Sequence, residues 1–159
     1  MILGLQHIDP QRIAAIDSHR VELRYAEISQ LSQQIISLIP TRSLCFLLVE
    51  NNVGGIAWVM SMIDSRQLVP LILNVKTEDT LYQQLLNTYH PTYICAPNHF
   101  AVQGEIVDSQ YEYTLTKIAN STPALHSELS HLLPTSGSTG SPKLVRHKYD
   151  NIEAAGLNI

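Results

Sequence analysis

Leu44-Cys45-Phe46-Leu47-Leu48-Val49 is an unbroken apolar run, closed by Glu50-Asn51-Asn52. A strand with one wet face alternates apolar and polar residues. This run does not alternate, so it predicts a strand covered on both faces. From about Val53 to Ile63 the sequence predicts a helix. Gly54-Gly55 near its start lowers its intrinsic stability but allows another segment to approach closely. Leu68-Val69-Pro70-Leu71-Ile72-Leu73 predicts the next strand, in which Pro70 has no N–H to give and suggests an edge or irregular position. Strand, helix and strand in this order predict parallel strands joined by a right-handed crossover.

The same texture extends to both sides. A helix from about Tyr25 to Ile39 carries Ile28, Leu31, Ile35, Leu38 and Ile39 on one face and is ended by Pro40. Before it, Ile13-Ala14-Ala15-Ile16 and Val21-Glu22-Leu23 predict two short strands, and residues 1–10 a loose lead-in. After the second apolar strand, a helix from Thr77 or Glu78 to about Thr88 precedes a short buried strand, Thr92-Tyr93-Ile94-Cys95-Ala96. Beyond residue 100, Gly104 to Val107 and Tyr111 to Ile118 alternate as an antiparallel pair does. A linker through Ser121-Thr122-Pro123 leads to a strand from Glu128 to Leu133, a returning strand Leu144-Val145-Arg146-His147 and a helix from Tyr149. The expected class is α/β: a mostly parallel sheet flanked by helices, with a small antiparallel portion near the C-terminal third.

Composition narrows the partners. With 159 residues the chain can bury one real core, and 45% hydrophobic against 15% charged residues is the balance of a soluble globular protein. A net charge of −4, with lysines and arginines scattered singly, leaves no basic footprint for nucleic acid or anionic lipid. Cys45 and Cys95 lie in apolar stretches and read as buried thiols. The N-terminal residues lack a signal-peptide pattern and no apolar stretch is long enough to span a membrane, so a cytoplasmic location is expected. His7, His19, His90, His99, His126, His131 and His147 are dispersed without metal-site spacing, and Asp64 and Asp108 have no evident carboxylate partner.

The chemistry concentrates between the last two strands, in Pro134-Thr135-Ser136-Gly137-Ser138-Thr139-Gly140-Ser141-Pro142-Lys143. Glycines let backbone N–H groups turn toward an anion, hydroxyls add donors, and a lysine adds a mobile positive charge. The common nucleotide loop has four residues between its glycines and a Lys directly after the second; here two residues separate Gly137 from Gly140, and Ser141-Pro142 precede Lys143. Taken alone, such a Ser/Thr/Gly/Pro cluster is most often a solvated loop.

The order of residues from Thr135 to Lys143 closely resembles the phosphate loop of the adenylate-forming enzymes, a superfamily of acyl-CoA synthetases, peptide-synthetase adenylation domains and luciferases. Val21-Glu22-Leu23-Arg24-Tyr25-Ala26-Glu27-Ile28 resembles the family's N-terminal segment, where a short strand leads into a helix. The resemblance implies that Thr135, Ser136, Gly137, Ser138, Thr139 and Gly140 wrap the β- and γ-phosphates of ATP, with Lys143 opposite their charge and Mg2+ accompanying the nucleotide. It implies activation of a carboxylic acid as an acyl-adenylate, then transfer to a thiol of CoA or a carrier protein. No catalytic residue is assigned. Tyr25 and Glu27 match family positions but read as structural. Departures are Leu144 for the glycine after the lysine, Tyr149 for a histidine and Arg24 for a threonine. The family's adenine pocket, acyl pocket, magnesium-supporting glutamate and catalytic lysine lie downstream of its loop. Residues 1–159 are therefore expected to be a truncated N-terminal subdomain, with its loop at 135–143, inactive in isolation and prone to self-association through uncovered apolar surface. The alternative is a noncatalytic phosphate-binding or interaction module; a phosphotransferase fits the loop spacing poorly.

Overall fold

A computed structural model of the protein describes residues 4–121, 123–135 and 143–156. Strands β1 (Ile13–Ile16) and β2 (Glu22–Arg24) form a small antiparallel ribbon. The Asp17 carboxylate organises its turn, accepting from the N–H groups of His19 at 2.9 Å and Val21 at 3.0 Å. Helix α1 (Tyr25–Leu38) follows at once. Glu27 sits in its first turn and accepts from the N–H of Arg24 at 2.7 Å, the back-reaching half of a capping box. Ile28, Leu31 and Ile35 are buried, as their spacing predicts.

The main sheet is built from β3 (Ser43–Val49), β4 (Leu68–Asn74), β5 (Tyr93–Pro97), β6 (Glu105–Gln110), β7 (Tyr113–Lys117), β8 (Leu129–Pro134) and β9 (Leu144–Lys148). Its order is β6-β7-β5-β3-β4-β8-β9. The four central strands β5, β3, β4 and β8 are parallel, and β6, β7 and β9 run against their neighbours at the two flanks. Helix α2 (Val53–Ser65) links β3 to β4, and α3 (Asp79–Tyr89) links β4 back to β5. Helix α4 (Tyr149–Gly156) continues directly from β9.

The unalternating run in β3 now has its reason. Cys45 and Leu47 pack with α1 and α2 residues such as Leu31, Trp58 and Met62. Leu44, Phe46 and Leu48 pack with Leu85, Leu81 and Tyr82 of α3 on the opposite face. Both cysteines are free and buried, and burial pushes each thiol up from its ordinary value. Two glycines are required by close approach. A Cβ on Gly54 would lie 2.3 Å from the Tyr111 carbonyl oxygen, and one on Gly55 would lie 2.7 Å from that of Glu50.

Two features differ from expectation. Pro70 lies in an interior strand, between β3 and β8, not at an edge. Among the described residues, β8 joins β4 at a single register pair, Leu71↔Leu132, one residue past Pro70. Pro70 itself stands opposite Cys45 in the β3–β4 ladder. The turn between β6 and β7 is made by Tyr111 and Glu112 at φ of 53° and 63°, without the Gly or Asn such a turn favours. Packing of Tyr111 against the α1–α2 core holds it there.

Candidate functional site

The parallel strands end their carboxyl ends together, and open α/β sheets bind ligands outside that edge. The 135–143 segment leaves the sheet at the carboxyl end of β8. Strands β8 and β9 pair from Leu129↔Lys148 to Pro134↔Leu144. Thr135 then closes the base of the loop twice: its N–H donates to the Lys143 carbonyl oxygen at 2.9 Å and its hydroxyl to the same oxygen at 3.1 Å. Thr135 and Lys143 are both exposed. Of the predicted cradle, Thr135 and Lys143 therefore stand together at the loop's two feet; Ser136, Gly137, Ser138, Thr139 and Gly140 lie outside the described residues.

Beside Lys143 runs a groove of about 750 Å³. Its floor is apolar, including Leu44, Leu132 and Leu144, and Lys143 and Arg146 are its cationic members. No acidic side chain among the described residues lines it. Among the described residues no cluster of three His, Cys, Asp or Glu side chains could hold a metal ion. The donor set here, a hydroxyl and an ammonium, fits phosphate oxygens. It does not supply the carboxylates with which proteins usually hold Mg2+.

The opposite face of the hairpin carries a pair that sequence reasoning missed. His131 on β8 and His147 on β9 face each other in register, their rings stacked at 4.4 Å and 2° from parallel. The Ser130 hydroxyl donates to the His147 carbonyl oxygen at 2.9 Å, so it accepts from His131 Nδ1 at 2.9 Å. Burial, with repulsion from His147, holds His131 down at about 4. The signal was available: both residues are eight positions from Thr139, so a symmetric hairpin must pair them. Tyr149 is buried at the start of α4, with the Arg66 guanidinium 4.4 Å over its ring.

Arg42 was also unsignalled by any motif. Its Nε donates to the Arg66 carbonyl oxygen at 3.0 Å, Nη1 to that of His126 at 2.9 Å, and Nη2 to that of Leu129. One side chain thus ties the α2–β4 turn to the approach and first residue of β8.

This architecture, a parallel core with antiparallel flanks, is shared with solved structures over nearly the whole chain. The o-succinylbenzoate CoA synthetase MenE from Bacillus subtilis, solved with the acyl-adenylate intermediate OSB-AMP, matches 99% of this chain with 45% of its own, at 18% identity and a TM-score of 0.68. The same enzyme has been solved with ATP and a magnesium ion. The N-terminal subdomain of NpsA from Klebsiella oxytoca matches 96% of this chain at 17% identity and a TM-score of 0.66, over 42% of its length. Apo MatB from Rhodopseudomonas palustris matches 99% at 16% identity and 0.67, over 37% of its length. The chain thus spans less than half the length of the structures it matches. No family model and no curated protein sequence matches it. Among the described residues no helix is long and apolar enough to cross a membrane.

Proposed function

We propose that residues 1–159 are the N-terminal subdomain of an ATP-dependent, AMP-forming carboxylate ligase, and that the 135–143 loop holds the β- and γ-phosphates of ATP. The observation that carries this reading is the doubly closed loop, with Thr135 bonded to Lys143 at the carboxyl edge of a parallel sheet. Closure of the two feet sets the Thr135 hydroxyl and the ammonium-bearing Lys143 side by side at the end of β8. Their chemistry matches a polyphosphate, and the likeness to MenE, itself solved with ATP and with an acyl-adenylate, supports the same site.

In the reaction of such a ligase, a carboxylate oxygen attacks the α-phosphorus and the bond to the bridging oxygen breaks, releasing pyrophosphate. A thiol sulfur, giving up its proton, then attacks the acyl carbon, and the bond to the adenylate oxygen breaks, releasing AMP. Negative charge builds on the leaving pyrophosphate, so a positioned cation and aligned N–H donors lower the barrier by electrostatics. Lys143 serves that role here, and Thr135 fixes the loop from which it acts. Mg2+, when bound, neutralises phosphate charge and arrives with the nucleotide. Substrate acid, thiol acceptor and turnover belong to the complete ligase; residues 1–159 alone bind polyphosphate without turnover.

The test is calorimetric titration of the 159-residue chain with tripolyphosphate. Lys143→Ala is expected to weaken binding about tenfold, the loss of one charge-assisted contact. Equal affinity in the variant, or acid-dependent ATP–pyrophosphate exchange by the isolated chain, would count against the reading.

A further inference from the structure

The hairpin that carries the loop is hydrogen-bonded along its own length, while β8 lies beside β4 with few ladder hydrogen bonds to it. Strands β3 and β4 pair at seven successive positions, from Ser43↔Leu68 to Val49↔Asn74. By contrast, β8 meets β4 at the single register pair Leu71↔Leu132 among the described residues. With few ladder hydrogen bonds to β4, the lengthwise position of β8 rests on side-chain packing and on polar ties from outside the ladder. The Arg42 guanidinium supplies what the ladder lacks. It donates to three backbone carbonyls at once, two of them, His126 and Leu129, on the hairpin's own approach, and the third, Arg66, on the turn into β4. Because Arg42 immediately precedes β3, this contact registers β8 against both central strands.

We propose that Arg42 is a positioning residue for the 135–143 loop: its guanidinium fixes β8 lengthwise against the parallel sheet, and the strand transmits that position to the loop at its far end. Six strand residues, at about 3.3 Å each, separate the two ends by roughly 20 Å. Arg42 therefore acts on phosphate through the strand and not by contact. A strand is stiff along its axis, so a lengthwise displacement of Leu129 arrives undiminished at Thr135. The proposal rests on the phosphate reading of the loop.

Geometry, not charge, is the active property. A guanidinium presents a planar fork of donors, whereas a lysine ammonium is a point charge on a flexible stem and cannot span the three carbonyls. The experiment compares tripolyphosphate affinity in the unsubstituted chain, Arg42→Ala, Arg42→Lys and, as a control on a remote, half-buried arginine that also holds a backbone carbonyl, Arg24→Ala. Melting temperature and amide hydrogen exchange are read on each. Both Arg42 variants are expected to bind on the order of tenfold more weakly, the size of losing one charge-assisted contact to the displaced loop. Exchange should quicken in residues 129–134 and 144–148 while β3 and β5 stay protected. Arg24→Ala should bind as the unsubstituted chain does. Arg42→Lys keeps the charge and serves as the informative variant if Arg42→Ala does not fold. Unsubstituted affinity in Arg42→Lys would overturn the proposal while leaving the phosphate reading intact. Failure of the unsubstituted chain to bind tripolyphosphate would overturn that reading, and the role of Arg42 with it.

Discussion

Acid should loosen the hairpin through His131 before it unfolds the rest of the chain. An ordinary imidazole titrates at 6.5, whereas His131, buried and stacked on His147, is held at about 4. Between these values the unfolded chain binds a proton that the folded chain refuses, so stability falls as pH drops from 6.5 toward 4 and then levels. At pH 5, 1.36 kcal/mol per pH unit acting over about 1.5 units sets a ceiling of about 2 kcal/mol. The residue is partly exposed, and screening reduces this to about 1 kcal/mol. His131→Phe keeps a planar ring over His147 and cannot titrate. Urea unfolding of both proteins at pH 7.5 and pH 5 isolates the effect, because carboxylate titrations cancel in the difference. The unsubstituted chain should lose about 1 kcal/mol more than the variant over this interval. Equal losses would refute the assignment of a depressed imidazole to this stack.

Two further substitutions probe the frame that carries the site. Gly54→Ala places a methyl 2.3 Å from the Tyr111 carbonyl oxygen and 2.8 Å from the Tyr113 ring. The gain in helix propensity is about 1 kcal/mol, the overpacking costs more, and the urea midpoint should fall by the equivalent of about 1–2 kcal/mol. A raised midpoint would show that the β6–β7 turn yields freely. Tyr113→Phe removes a hydroxyl that accepts from the Glu50 N–H at 2.9 Å and donates to Asn52 Oδ1 at 3.2 Å. Its loss should cost about 1–2 kcal/mol in the same assay, with hydrogen exchange quickened at Glu50.

Much of the parallel core was legible because burial on two faces leaves a plain trace. No polar residue interrupts Leu44–Val49, and the strand proved central. The loop hairpin was legible because turn chemistry concentrates between two short apolar segments. Other features left weaker traces or none. Pro70 points to an edge by its missing donor, yet it sits inside the sheet, opposite Cys45 of β3. The Tyr111-Glu112 turn carries no turn residue, because tertiary packing on α1 imposes its positive φ. Arg42 stands between Thr41 and Ser43 without any motif; its significance lies in carbonyls 24, 84 and 87 residues away, which only the assembled fold brings together.

The most direct test of the central claim is an amide-resolved NMR titration of the 159-residue chain with tripolyphosphate. The account predicts saturable shifts centred on Thr135 to Lys143, reduced in Lys143→Ala, with the β1–β2 ribbon unmoved. Shifts that miss this loop, or spread over scattered surface lysines without saturating, would contradict it.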